Sequence, residues 1–152
     1  MTTTFPPLAG IEVLQHILDG AIPVPPAVDL LGLELEEVHD GQVRFRFPTS
    51  PRFANPRNVH GGILAAVADV VASTAVLTIT PADHDVVTAD LHVSYLRPVA
   101  VDAGDLHPVG TVVHHGRTQA NAVVELTDRH GRLLLRAAAT CRLVSRGGPA
   151  HP

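Results

Sequence analysis

The residues best suited to chemistry lie in one stretch, Asn58 to Ile79 (NVHGGILAAVADVVASTAVLTI). It opens on His60-Gly61-Gly62. Nine residues after the His comes Asp69, the one ionisable group in the apolar run that follows. Carboxylates are almost never fully buried without a partner or a task. A Gly pair at a helix start lets a ligand approach bare backbone N–H groups, and the positive helix end favours developing negative charge. A polarising amide and a carboxylate whose basicity is sharpened by apolar surroundings are the two parts that acyl transfer to water needs. The plain alternative makes Asp69 a rim residue or a satisfied structural acid.

The element that must position these groups is a helix near 61–79. Only Asp69, Ser73, Thr74 and Thr78 interrupt its Ala, Val, Leu and Ile residues, and a helix apolar nearly all round is a buried one. Its valines lower helix propensity, so tertiary packing must hold it. Upstream, Leu8, Ile11, Leu14, Ile17 and Leu18 have helical spacing, and Gly20 is a stop. AIPVPPAVD then reads as an extended connector. Residues 30–38 and 43–47 alternate about the Asp40-Gly41 turn and predict a hairpin with one wet face. Residues 48–59 form a loop holding Arg52, Asn55, Arg57 and Asn58, either a ligand grip or simple turn chemistry. After Pro81 the pattern is strands. Val87, Ala89, Leu91, Val93 and Tyr95 are expected on one face, with Thr88, Asp90, His92 and Ser94 on the other. Strand-like runs follow at 105–114, 118–127 and 132–145. The expected architecture is α+β, five to six long antiparallel strands wrapped around one central apolar helix. The expected organisation is an N-terminal helix and Pro-rich connector over 1–27, one domain over 28–146, and a disordered tail over 147–152.

Composition bounds the partners. The chain has 152 residues, 45% hydrophobic and 17% charged, with a formal net charge of -4, which fits one domain with a real core. All 11 basic residues are Arg, with no cluster of the kind that marks a nucleic-acid footprint. The single Cys141 excludes an intrachain disulfide and fits a reducing compartment. Met1 to Pro7 lacks the order of a leader, and polar residues interrupt the longest apolar stretch, so a cytoplasmic protein without a membrane span is expected.

The pieces NVHGGILAAVAD and TADLHVSYLRP, with the glycine-centred hairpins, together resemble the hotdog-fold acyl-CoA thioesterases of the phenylacetate-pathway (PaaI-like) branch. The resemblance covers nearly the whole chain. It implies that Asp69 activates water or attacks the thioester carbonyl, that the Gly61 amide polarises that carbonyl, and that His60 helps shape the site. It implies that Thr88 positions the water. An Asn often stands six residues before the His in this family. Here that position is Ala54: either Asn55, one step later, fills the role, or that contact is missing, and Asn58 is closer still. The resemblance further implies a site shared between subunits, in a homodimer or a dimer-of-dimers homotetramer.

Other chemistry is weaker. No metal is expected, because His114-His115 point to opposite strand faces and no CxxC or HxxxH spacing occurs. There is no GxSxG elbow, no triad order and no phosphate-binding glycine motif. Cys141 lies in an apolar strand and reads as a small core residue. Arg97, Arg117 and Arg57 are candidates to meet coenzyme A phosphates, since Arg grips phosphate bidentately; each alone also reads as a surface Arg. No resident cofactor is expected, coenzyme A being part of the substrate. Two competing readings remain. One is a hotdog module that binds acyl-CoA without turnover. The other is a hotdog hydratase, whose different Asp/His pair is not found here.

Overall fold

The computed structural model describes residues 7–147. Of the disordered tail expected over 147–152, residues 148–152 lie outside the described residues, as do residues 1–6. Two short helices, α1 (Gly10–Leu18) and α2 (Pro26–Leu31), precede the hairpin β1 (Glu34–His39) and β2 (Gln42–Pro48). A 3-10 turn, Pro51–Phe53, leads into a small ladder of β3 (Ala54–Asn55) and β4 (Asn58–Val59). Then come the central helix α3 (Gly61–Leu77) and four long strands, β5 (His84–Tyr95), β6 (Asp105–His115), β7 (Gln119–Thr127) and β8 (Leu133–Ser145). The main sheet has six strands in the order β1-β2-β6-β7-β8-β5, every neighbour antiparallel. This is the hotdog arrangement that the resemblance implies.

The Pro-rich connector departs from expectation, since Pro26–Leu31 is helical. Pro25 is its N-cap and Pro26 its first residue, where a missing N–H removes no helical hydrogen bond. Gly32, left-handed at φ 68°, ends it. The first main-sheet strand accordingly starts at Glu34 rather than Leu30.

Helix α3 lies across the sheet. Leu64, Val67, Ala68, Val71, Ala72, Ala75 and Val76 are buried, a stripe repeating every three to four residues. The layers touch closely: a Cβ added at Gly110 on β6 would sit 2.7 Å from the Val71 carbonyl oxygen and 3.2 Å from the Ala75 Cβ. Helix α1 docks at the far end of α3, with the Gly10 N–H donating to the Thr80 carbonyl at 2.9 Å. The other side of α3 is also apolar, yet Ile63, Ala66, Val70 and Leu77 are only partly buried. The chain's own sheet therefore covers one side of a helix that is apolar on both.

Strand β5 corrects the expected face assignment. Its pairing with β8 runs Thr88 against Cys141 and then Asp90 against Thr140, so Ala89 is an extra, bulged residue. A bulge flips the alternation. Before it, Val86 and Thr88 are partly buried and Val87 is 52% exposed; after it, Leu91 and Val93 turn inward while Asp90 and His92 face out. Thr88 therefore does not share a face with Asp90 and His92.

Candidate active site

The start of α3 is anchored from outside. The Val59 N–H donates to Val99 O at 2.8 Å, and the His60 N–H donates to Phe53 O at 2.9 Å. His60 is the N-cap, and its carbonyl accepts the N–H groups of Ile63 at 3.0 Å and Leu64 at 3.3 Å. Its ring Nδ1 accepts the Gly62 N–H at 3.0 Å, which places the ring proton of neutral His60 on Nε2. The Gly61 carbonyl accepts the Tyr95 hydroxyl at 2.7 Å. Of the first-turn N–H groups, Gly61's is the one without a hydrogen-bond partner among the described residues. Gly61 lines a cavity of about 280 Å³ with Asn58, Leu64, Tyr95 and Arg97.

Asp69 lies two turns along on the partly exposed side. Thr88 Oγ1 donates to Asp69 Oδ1 at 2.7 Å, leaving Oδ2 without a partner among the described residues. With its proton given to Asp69, the Thr88 hydroxyl can only accept from a water. Ser73, one turn further, spends its hydroxyl proton on the backbone carbonyls of Asp69 (2.8 Å) and Val70 (3.1 Å), not on the carboxylate. Cys141 is fully buried across from Thr88. Burial pushes its thiol pKa up, the Thr88 side chain opposes this, and the nearby Asp69 charge adds to the rise, so it stays a thiol rather than a nucleophile. Beyond Ser73, Val13, Val28, Val70, Leu77 and Val86 line a mainly apolar cavity of about 500 Å³ under α1 and α2.

The remaining predicted site residues fall in different places. His60 and Gly61 are adjacent in space as in sequence. Asn55 is exposed, paired across the small ladder with Asn58; Asn58, not Asn55, lines the cavity at Gly61. Arg57 is exposed on the turn of that ladder. Arg97 lies just past β5, its guanidinium donating to Leu133 O. Arg117 is in the β6–β7 turn, next to Thr118, whose carbonyl accepts the Leu143 N–H. The Arg97 N–H donates to Leu134 O at the other end of β8, so Arg97 and Arg117 stand toward opposite ends of the sheet, about 30 Å apart at ~3.3 Å per strand residue. Sequence reading missed the Tyr95 hydroxyl as a partner of Gly61, and no local pattern signals it. Among the described residues no three His, Cys, Asp or Glu side chains are grouped to hold a metal, and no helix is long and apolar enough to cross a membrane.

Comparison with known proteins points to one family. The family model described as the thioesterase superfamily matches residues 57–135, from the small ladder to β8. A candidate esterase of Halobacterium salinarum is 35% identical over 105 residues, covering 65% of this chain and 68% of the relative. A crystal structure of a candidate thioesterase from Ralstonia eutropha, a phenylacetic acid degradation-related protein, is 31% identical, with a TM-score of 0.78 over 85% of this chain and 98% of that one. The structure of AziG from S. sahachiroi is 28% identical, with a TM-score of 0.76 over 80% of this chain and 98% of that one.

Proposed function

The chain belongs to the thioesterase superfamily and is a thioester hydrolase; from that premise we propose that it hydrolyses acyl- or aryl-CoA thioesters, with Asp69 as the reacting carboxylate. The observation that carries this reading is Asp69 on the open side of α3, one oxygen held by Thr88 and the other free. As general base, Asp69 Oδ2 takes a proton from water while the water oxygen attacks the thioester carbon. The Gly61 N–H holds the oxyanion that forms. The C–S bond then breaks, the proton passes to the sulfur, and acid and coenzyme A leave. As nucleophile, the same oxygen would attack first and water would open the resulting anhydride. Both routes need the carboxylate. The apolar cavity beyond Ser73 supports an acyl or aryl group lodged next to the reacting carbon.

One chain is not enough. Gly61 and Asp69 are eight residues apart on one helix, about 12 Å at 1.5 Å per residue. A single thioester carbonyl cannot lie within bonding reach of both. That separation supports a site that combines the Gly61 amide of one copy with the Asp69 of a second, as the resemblance implies. The unpaired edge of β5 and the half-covered apolar side of α3 support a homodimer joined there, which pairs again into a tetramer as the resemblance implies. Two-fold pairing of β5 edges brings the Arg97 end of one copy toward the Arg117 end of the other. That supports Arg97, Arg117 and Arg57 as a shared grip on coenzyme A phosphates. Asn55 reaching a second copy, and a cytoplasmic location, belong to the same proposal.

The test is Asp69→Asn beside the native protein, with kcat and Tm measured on both across a panel of alkyl and aryl acyl-CoAs. The expected result is a loss of about 10²–10⁴ in kcat at nearly unchanged Tm. Near-normal kcat in the variant would remove Asp69 from the mechanism. Acyl-CoA binding without hydrolysis by either protein would leave only the binding reading.

A further inference from the structure

We propose that Tyr95 is a positioning residue that fixes the Gly61 amide in its reactive orientation; this rests on the reading that the Gly61 N–H polarises the thioester. The argument starts from the two peptide units that meet at Gly61. The first, His60–Gly61, carries the donating N–H, and its carbonyl accepts two helix N–H groups, from Ile63 and Leu64. Bonds to that carbonyl polarise the unit and strengthen its free N–H as a donor. The second unit, Gly61–Gly62, is held at both ends. Its carbonyl accepts the Tyr95 hydroxyl at 2.7 Å, and its N–H donates to His60 Nδ1 at 3.0 Å. A Gly-Gly pair has the widest backbone freedom of any dipeptide and would otherwise sample several orientations. The ring of Tyr95 also packs on Gly61: a Cβ built there would lie 3.4 Å from the Tyr95 Cζ.

The clamp comes from a rigid element. Tyr95 ends the long strand β5, opposite Leu135 of β8, and its bond to Gly61 spans 34 residues of sequence. Tyr95 is 51% exposed, so water can replace its hydroxyl as a donor to the carbonyl, and stability gains little from it. What water cannot supply is a fixed direction. The bond therefore acts on geometry at the start of α3 rather than on folding. An amide preorganised toward the forming oxyanion stabilises the transition state and leaves ground-state binding alone.

The experiment compares Tyr95→Phe, Gly61→Pro and the double variant, with kcat, KM and Tm on benzoyl-CoA. Gly61 is the first residue of α3, where Pro is accepted, and His60 at φ -57° and ψ 135° has the conformation that precedes a Pro. Gly61→Pro thus removes the N–H with little other change. Tyr95→Phe should lower kcat about tenfold, the weight of roughly one hydrogen bond, at unchanged KM and Tm. In the Gly61→Pro background the same change should have no further effect. In Asp69→Asn, infrared spectra of bound benzoyl-CoA should show the thioester carbonyl stretch shifted to lower frequency, and adding Tyr95→Phe should reduce that shift. Normal kcat in Tyr95→Phe, a raised KM with kcat intact, or a further tenfold loss in the double variant would each overturn the proposal. Gly61→Pro with native kcat would instead overturn the underlying assignment of the amide.

Discussion

Thr88 and Asp69 stand 19 positions apart in sequence, yet the Thr88 hydroxyl donates to the Asp69 carboxylate at 2.7 Å because Ala89 is squeezed out of the β5–β8 pairing. Without that bulge, strict alternation would group Thr88 with the outward Asp90 and His92. The bulge therefore decides which side chain of β5 meets the Asp69 carboxylate.

Replacing Thr88 by Val keeps the branched shape and removes the donor. The carboxylate then loses the one side-chain partner it has among the described residues, and its free oxygen is no longer held in a single direction. We expect kcat to fall about tenfold with KM little changed, since a hydrogen bond to a charged group carries roughly 1.5–3 kcal/mol. A steady-state comparison at one pH is sufficient; an unchanged kcat would make the bond a packing detail.

The shared site predicts rescue between two impaired proteins. Gly61→Pro and Asp69→Asn should each keep only a small residue of native activity alone. After denaturation and joint refolding in equal amounts, mixed dimers carry one site with both faults and one with neither. About a quarter of native activity should return, since half of the dimers are mixed and each keeps one of two sites. No recovery at any ratio, or a 16.0 kDa monomer by light scattering, would argue for a site inside one chain.

Arg97→Ala and Arg117→Ala should each raise KM for acyl-CoA several-fold and leave kcat nearly unchanged. Contacts to a distant phosphate bind ground and transition states alike. If the two grip one nucleotide from different copies, a shortened thioester lacking the nucleotide should erase both effects. Equal KM values in native and variant proteins would put the nucleotide elsewhere.

The β7–β8 turn predicts an acid response. Burial would raise the Asp128 carboxyl, but the N–H groups of Arg132 and His130 and the Arg132 guanidinium outweigh it and hold the pKa at about 2, against an ordinary 3.8. A carboxyl depressed on folding stabilises the native state above its unfolded pKa and loses that contribution as pH falls through the folded one. Asp128→Asn should therefore melt several degrees lower at pH 7, and the gap should narrow between pH 4 and pH 2. A gap of constant size across that range would show that the charge is not what the turn depends on.

The central helix that carries Gly61 and Asp69 and the runs of the long strands were legible in the sequence, because each rests on local periodicity. Three features were not. The helix at Pro26 was hidden by a cluster of prolines, of which only position matters: two of them sit where a helix can begin. The bulge at Ala89 leaves no local mark, since the residues on either side still alternate; only the pairing with β8 reveals it. Tyr95 reaching Gly61 is a contact between elements whose crossing angle no periodicity fixes. Asn55 and Asn58 show the same limit, since one position in a two-residue ladder decides which of them faces the cavity.

The close approach of Gly110 to Val71 and Ala75 divides α3 lengthwise. Its sheet-facing half is closely covered: a methyl added at Gly110 would strike the helix backbone, and Ala68, Ala72 and Ala75 are fully buried. Its other half, with Ile63, Ala66, Val70 and Ser73, is only partly covered, and a comparable wall stands only at its end, where Gly10 of α1 packs on the Leu77 carbonyl. Change is therefore channelled. A lineage of such proteins can alter the size and chemistry of the groups next to Asp69 without disturbing the scaffold, so new substrates can be reached by substitution on one side of a single helix while the other stays fixed.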